Sequence, residues 1–326
     1  MTDGPGRPRR ETVLPAVPAL GGLYAAGARA SLRARLSPAG RAAAGRPAPA
    51  LPDVAHVVRG VTADADHLTA YQHLLGESAT DTLPPGFVHV LAFPVAMSVM
   101  TAPGFPLPLL GMVHLANRVE QRRPVRLGDR LDVRAWAQDL HPHPRGTSVR
   151  LVAEVEVDGE TVWTGVSTYL AKGVAAGVGA EGTGMGGTGT DGTGTDGTGT
   201  DGTGTDGTDP RPLPTARWRL PADTGRRYAA VSGDRNPLHL SVATARALGQ
   251  PRPLAHGMHT AARALAQVGP ARGDALVWTA TFGSPVRLPA TVDVAVARAG
   301  DGWTVTGTGR GGRHHLTVGV APLVGT

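Results

Sequence analysis

Residues 228–259 read YAAVSGDRNPLHLSVATARALGQPRPLAHGMH, and the order of residue types in this stretch decides what the chain is built to hold. Within it, Ser232-Gly233-Asp234-Arg235-Asn236-Pro237-Leu238-His239 sets a carboxylate and an imidazole five residues apart across an Asn-Pro turn. A turn lets both side chains converge on one small volume, which an ideal helix would not do at that separation. A carboxylate and an imidazole side by side can hold one water, one partner removing its proton and the other managing proton delivery. Taken alone, the pair is read more economically as an Asx-type turn closed by Asp234, with His239 an ordinary surface histidine.

The end of the stretch adds a second element. Leu254-Ala255-His256-Gly257-Met258 stands immediately before an apolar helix in which Met258, Ala261, Ala262, Leu265 and Val268 share one face at spacings of three and four. The Gly257 N–H then points out of a helix N-terminus, where such donors stabilise a carbonyl oxygen as it gains negative charge. Glycine also permits close approach of a ligand. Met258 and Leu265 belong to the core. His256 and His259, three apart, would make a metal pair, but no third ligand accompanies them.

Working outward, alternating segments at 276–282, 291–298, 303–308 and 314–320 follow the helix, separated by Gly300-Asp301-Gly302 and Gly311-Gly312. The first half of the chain has the same plan. An apolar run at 87–100 reads as a buried helix that Pro94 breaks or kinks. Residues 148–157 alternate, turn at Asp158-Gly159 and resume through 161–170, a strong hairpin signal, while 113–119 and 131–136 alternate less cleanly. A buried helix followed by an antiparallel meander, found twice, predicts two copies of one α+β unit.

Between the halves, residues 182–209 repeat a Gly-Thr-Gly-Thr-Asp unit with Asp191, Asp196, Asp201 and Asp206 five apart. Such a segment cannot offset its ordering entropy and is expected to be a flexible linker. Calcium-binding glycine-aspartate repeats need a nine-residue period with a stacking apolar residue, absent here. The expected division is a disordered or loosely helical extension at 1–50, a first domain at 51–175, a linker at 176–211 and a second domain at 212–326.

Composition removes several chemistries. The 326 residues contain no cysteine, so disulfides, thiolate nucleophiles and thiolate metal sites are excluded. The formal charge of +6 rests almost wholly on arginine, Lys172 being the single lysine. The arginines of the first fifty residues have Tyr24 as their only aromatic neighbour and so form no stacking platform, and no nucleic-acid partner is expected. No window approaches the roughly 18 apolar residues a membrane span needs, and Pro15 and Pro18 interrupt the only N-terminal apolar patch. A cytoplasmic protein without membrane attachment is the simplest reading.

Taken together, Tyr228, Ser232, Gly233, Asp234, Asn236, Pro237, His239, Ala255, His256, Gly257 and Met258 resemble the MaoC-like (R)-specific enoyl-CoA hydratase and acyl dehydratase family, whose signature is a Tyr, then Ser-Gly-Asp-x-Asn-Pro-x-His, then Ala-His-Gly-Met. The stretch Phe282-Gly283-Ser284-Pro285-Val286-Arg287-Leu288-Pro289 is similar to the strand that follows in that family. The segment from Leu83 to Pro94 looks like the degenerate partner domain of two-domain relatives. Ser241, where the family is often acidic, and Gln250, where it often has an aromatic, depart from the pattern.

The resemblance implies a hotdog fold for each half, an antiparallel sheet wrapped around a central helix, the two packing as an intrachain pseudo-dimer. It implies one active site per chain, since nothing in the first half matches the Asp-x-Asn-Pro-x-His element; Asp64, Asp66 and His67 there read as a helix start. The implied reaction is reversible hydration of trans-2-enoyl thioesters to (R)-3-hydroxyacyl thioesters, CoA-linked, as in fatty acid metabolism. Asp234 would be the general base, His239 would position the water and assist proton transfer to the α-carbon, and Gly257 N–H would bind the thioester oxygen. Tyr228, Ser232, Gly233, Asn236, Pro237, His256 and Met258 would support them, Asn236 by hydrogen bonding, and the first domain would wall the acyl pocket. No metal or other cofactor is expected, because the thioester itself acidifies the α-carbon. A carrier-protein-linked dehydratase, a thioesterase and a non-catalytic acyl-thioester binding subunit are the alternatives, and the resemblance leaves room for a homodimer.

Overall fold

The computed structural model describes residues 8, 10–36, 50–174 and 213–323, so the expected linker at 176–211 lies outside the described residues. A short strand β1 (Arg10–Val13) and a helix α1 (Leu20–Leu36) come first. The first repeat then runs β2 (Val54–Val61), α2 (Ala65–Leu75), β3 (Thr82–Leu83), α3 (Pro85–Val99), β4 (Val113–Gln121), β5 (Val125–Arg126), β6 (Leu131–His143), β7 (Gly146–Val157) and β8 (Glu160–Lys172). The second runs β9 (Ala216–Leu220), α4 (Thr224–Ser232), α5 (Val242–Ala247), α6 (Gly257–Val268), β10 (Leu276–Phe282), β11 (Ala290–Ala299), β12 (Gly302–Thr308) and β13 (His314–Pro322).

Local chemistry explains the main boundaries. Asp64 caps α2 by accepting from the His67 amide at 2.8 Å, as its acidic helix start predicts. Asp158 and Gly159 both take positive φ (53° and 79°), the requirement of a two-residue turn whose twist matches its strands. Pro85 opens α3, where its missing N–H costs nothing. The sequence predicts a break or a kink at Pro94; the helix is unbroken through that residue. Almost every one of its side chains is buried, so packing on all sides holds the turn that Pro94 weakens.

All main strands join one eleven-stranded sheet in the order β1-β2-β6-β7-β8-β4-β10-β13-β12-β11-β9. The seam is the antiparallel pairing of β4 with β10, from Leu276 opposite Gln121 to Thr281 opposite Ala116. Each seam strand is the first major strand after the central helix of its own repeat, so the repeats meet through equivalent edges, as in a dimer. This is the expected pair of hotdog units. Among the described residues, no helix is long and apolar enough to cross a membrane.

Packing across the seam is close. A Cβ added at Gly86 in α3 would lie 3.1 Å from the Ala262 Cβ in α6, and closer still to the Tyr71 hydroxyl. On the helical side, Arg272 forms a two-pronged ion pair with Glu77 from the other repeat, at 3.0 and 2.9 Å, and the Glu77 side chain is only 5% exposed. Removing one partner of a buried pair strands the other's charge. Glu77→Ala is therefore expected to lower the unfolding free energy by about 3 kcal/mol. Urea titration measures it; a loss below about 0.5 kcal/mol, the scale of an exposed pair, contradicts the buried, structural role.

Candidate active site

The loop after α4 is built to aim Asp234. Gly233 ends the helix in the left-handed conformation (φ 70°), a turn that glycine makes without strain. Ser232 Oγ donates to the Tyr228 carbonyl at 2.8 Å and accepts from the Asp234 amide at 3.2 Å, tying the loop to the helix end. Asp234 Oδ1 accepts from the Asn236 amide at 3.1 Å, which is indeed an Asx turn. The turn and the site are the same structure: the bond that closes the loop fixes the carboxylate.

Asn236 then caps the single 3₁₀ turn of Pro237–His239, its side chain accepting from the Leu238 amide. Its contact with Asp234 is thus through the backbone, not through the side-chain bond that the residue type suggests. His239 lands with Nδ1 at 2.8 Å from the Leu254 carbonyl. That carbonyl only accepts, so Nδ1 carries the proton and Nε2 presents a lone pair.

His256 sits behind this pair. Its Nε2 donates to the Asp234 carbonyl at 2.9 Å, and its ring stacks on His239 with centroids 3.7 Å apart and planes at 28°. One ligand atom each of Asp234, His239 and His256 lie within 4.8 Å of one another. The near-parallel stacked rings direct their lone pairs along near-parallel planes, a poor arrangement for two imidazoles on one metal. Tyr228 is buried against the His256 and His259 rings, and Met258 is buried in the cavity wall.

Gly257 opens α6 behind His256, whose side chain makes no cap. The first amides of the helix are therefore left for a ligand. A Cβ at Gly257 would lie 3.1 Å from the Phe282 ring, so glycine is needed for packing as well as for ligand approach. The preceding residues are clamped by the 284–289 segment: the Ala255 amide donates to Val286 and the Leu288 amide to Pro253. That segment is mainly loop, with one bridge at Arg287, where a strand was expected beyond Phe282.

These groups face a cavity of about 410 Å³ whose other walls come from the first repeat and from α1. His89, Met97, Met112, His114 and Tyr169 line it from the first repeat, and Tyr24 from α1. His114 stacks on Tyr169 at 4.6 Å and leans on Phe282 at 5.0 Å. Exposed Arg145 and Lys172 add positive charge to the lining. The second-repeat residues were legible in the sequence and these were not. His89 had one signal, a lone imidazole in an apolar run. Tyr24 had only the short Leu20, Tyr24, Gly27 spacing.

Burial alone would push the Asp234 carboxyl up, yet its surroundings hold it below the ordinary carboxylate value. The imidazoles nearby are themselves kept neutral by burial: His239 is pushed down, and His256 to about 3. The His256 and His239 imidazoles beside it favour the ionised carboxyl most, and hydrogen bonds from the Tyr24 hydroxyl and the Asn236 amide add to them. Burial likewise pushes His259 and His114 down to about 3 and His89 to about 4.

A family description, MaoC like domain, matches residues 203–317. The 3-hydroxyacyl-thioester dehydratase X of Mycobacterium tuberculosis is 32% identical over 283 residues, covering 84% of this chain and 91% of that protein. The crystal structure of HtdX of the same organism superposes with a TM-score of 0.68 at 31% identity, covering 82% of this chain and all of that one. A MaoC-like dehydratase of Phytophthora capsici, at 17% identity and a TM-score of 0.58 over 83% of this chain and 96% of that one, shares the fold.

Four of these imidazoles, His89, His114, His256 and His259, give the burial a measurable consequence. Below the ordinary histidine value of about 6.5 the unfolded chain binds protons that the folded chain refuses, until pH falls to their folded values of about 3 to 4. Stability should therefore fall as pH drops from about 6.5 toward 4, by about 1.4 kcal/mol per pH unit for each such proton. Urea titrations across that range are expected to show this slope, and His259→Leu to flatten it by about one proton. A pH-independent unfolding energy would contradict the burial of these groups in neutral form.

Proposed function

Because the chain belongs to the MaoC-like dehydratase family, we propose that it catalyses the reversible hydration of trans-2-enoyl thioesters to (R)-3-hydroxyacyl thioesters, with Asp234, His239 and Gly257 as the catalytic groups. One observation carries this reading: a carboxylate oxygen and an imidazole nitrogen lie within 4.8 Å of each other, beside a helix N-terminus that its own cap residue leaves open. Two hydrogen bonds of about 2.8 Å meeting on one tetrahedral water span roughly 4.6 Å. A single water can bridge a pair that lies within that bound.

In the hydration direction the water oxygen bonds to C3 and gives its proton to Asp234. The C2–C3 π electrons move toward the thioester oxygen, where the Gly257 N–H stabilises the negative charge. Protonation of C2 by Asp234 then returns that charge and regenerates the carboxylate. His239 is tied through Nδ1 to Leu254, so its Nε2 accepts the water's second hydrogen and fixes the direction of attack. That second hydrogen stays on the new 3-hydroxyl, so His239 assists the proton transfer by holding the oxygen in place while Asp234 carries the proton to C2. Dehydration is the reverse. The thioester supplies the acidity of the α-carbon, so the scheme uses no metal or redox group.

The supporting residues act on this pair. Ser232, Gly233 and the Asn236 backbone set the Asp234 loop, Pro237 sets the turn that lifts His239, and His256 holds both from behind. Tyr228 and Met258 close the wall beside them. The first repeat accepts the acyl chain along Met97 and Met112, whose flexible side chains adapt to its shape. Arg145 and Lys172 complement the phosphates of a CoA thioester, our preferred carrier; a carrier-protein phosphopantetheine would meet the same charges.

Asp234→Asn is expected to fold normally and to lose crotonyl-CoA hydration by about 10²- to 10⁴-fold. Near-wild-type turnover in that variant would remove the assignment. Wild-type kcat/KM with enoyl-CoA and with the same acyl group on a carrier protein decides the carrier: a clear preference for the protein-bound thioester would overturn the CoA reading. Release of free thiol would point instead to hydrolysis.

A further inference from the structure

Helix α1 reaches the site from 210 residues away in sequence: the Tyr24 hydroxyl donates to Asp234 Oδ1 at 2.5 Å. The contact is built into the fold. Leu20 packs at Gly233, where an added Cβ would lie 3.4 Å from it, and an added Cβ at Gly27 would lie 2.9 Å from Leu109. One end of α1 thus rests on the catalytic loop of the second repeat and the next turn on the first repeat, with Tyr24 between them and only 8% exposed.

The two oxygens of Asp234 are not equivalent. Oδ1 accepts from both the Asn236 amide at 3.1 Å and the Tyr24 hydroxyl. Oδ2 has no hydrogen-bond partner among the described residues, its neighbour His256 Nε2 standing 3.7 Å away. Two donors on one oxygen fix the torsion of the carboxylate and leave the other oxygen to the reacting water.

We infer that Tyr24 is a positioning residue, anchoring Asp234 through Oδ1 so that Oδ2 faces the reacting oxygen, and that α1 is a part of the active site. The inference rests on Asp234 being the general base. Burial and the neighbouring carboxylate push the phenol far above its ordinary range, so it stays protonated and always donates. A donor to the ionised carboxyl also lowers its basicity, which keeps Asp234 ready as a base at mildly acidic pH.

Tyr24→Phe removes the hydroxyl and keeps the ring. Expected results are a fall in kcat of about tenfold or more with KM little changed, and an acidic limb of the pH–rate profile displaced to higher pH. A ¹³C titration of the Asp234 carboxyl in the ligand-free protein should show the same upward displacement, independent of turnover. Tyr24→Leu, which keeps an apolar seat, repeats the test if the first variant is poorly folded. Unchanged kcat and pH profile would overturn the proposal. So would a gain in kcat/KM with lower KM, since the phenol would then be plugging the water position. If instead Asp234→Asn keeps its activity, the base assignment has failed, and the carboxyl titration still reports whether Tyr24 holds Asp234.

Discussion

The antiparallel pairing of β4 with β10 is the constraint on which the rest depends. It joins a six-stranded and a five-stranded sheet into one and sets the walls of the two repeats facing each other. From the end of β10, Phe282 backs Gly257 on one side and meets His114 of β4 on the other. A shift of register by one residue would reverse which face each seam side chain occupies. The position of the Gly257 amide, the closeness of the first-repeat wall and the shape of the cavity all trace to this seam. The Glu77–Arg272 pair and the Gly86–Ala262 contact hold the same relation between the helices.

The site itself sets local chemistry against burial cost. Five imidazoles and a carboxylate are withdrawn from water in one region, an arrangement that weakens the folded state in acid. The carboxylate is kept ionised by the neighbouring His256 and His239 rings and by its hydrogen bonds. The imidazoles are kept neutral by burial, which leaves His239 with a free lone pair where a water can use it. The same few bonds that close an ordinary Asx turn, from the Asn236 amide and through Ser232, therefore also hold the Asp234 carboxylate. Either description of the turn is correct, and neither excludes the other.

What could be read from the sequence follows from how local each feature is. The Asp234–His239 convergence is encoded in the seven residues 233–239 by a helix-ending glycine and an Asn-Pro turn, so it was legible. So were α6, whose apolar face has a clean helical period, and the β7–β8 hairpin, fixed by Asp158-Gly159. The leading elements β2, α2, β9 and α4 were less so, because their burial is decided by strands far away in the chain. Pro94 misled on α3, since tertiary packing on every face outweighs one lost backbone bond. The Tyr24 contact joins residues 210 apart and has no local signature; an Ala- and Arg-rich stretch gave no reason to expect a buried phenol.

The most direct test of the central claim is a crystal structure of the Asp234→Asn protein with an (R)-3-hydroxyacyl-CoA bound. The account predicts the 3-hydroxyl oxygen between the position-234 side chain and His239 Nε2, the thioester oxygen within about 3 Å of the Gly257 amide, and the acyl chain running into the first repeat. A ligand bound in the reverse sense, or with its hydroxyl away from residues 234 and 239, would contradict it.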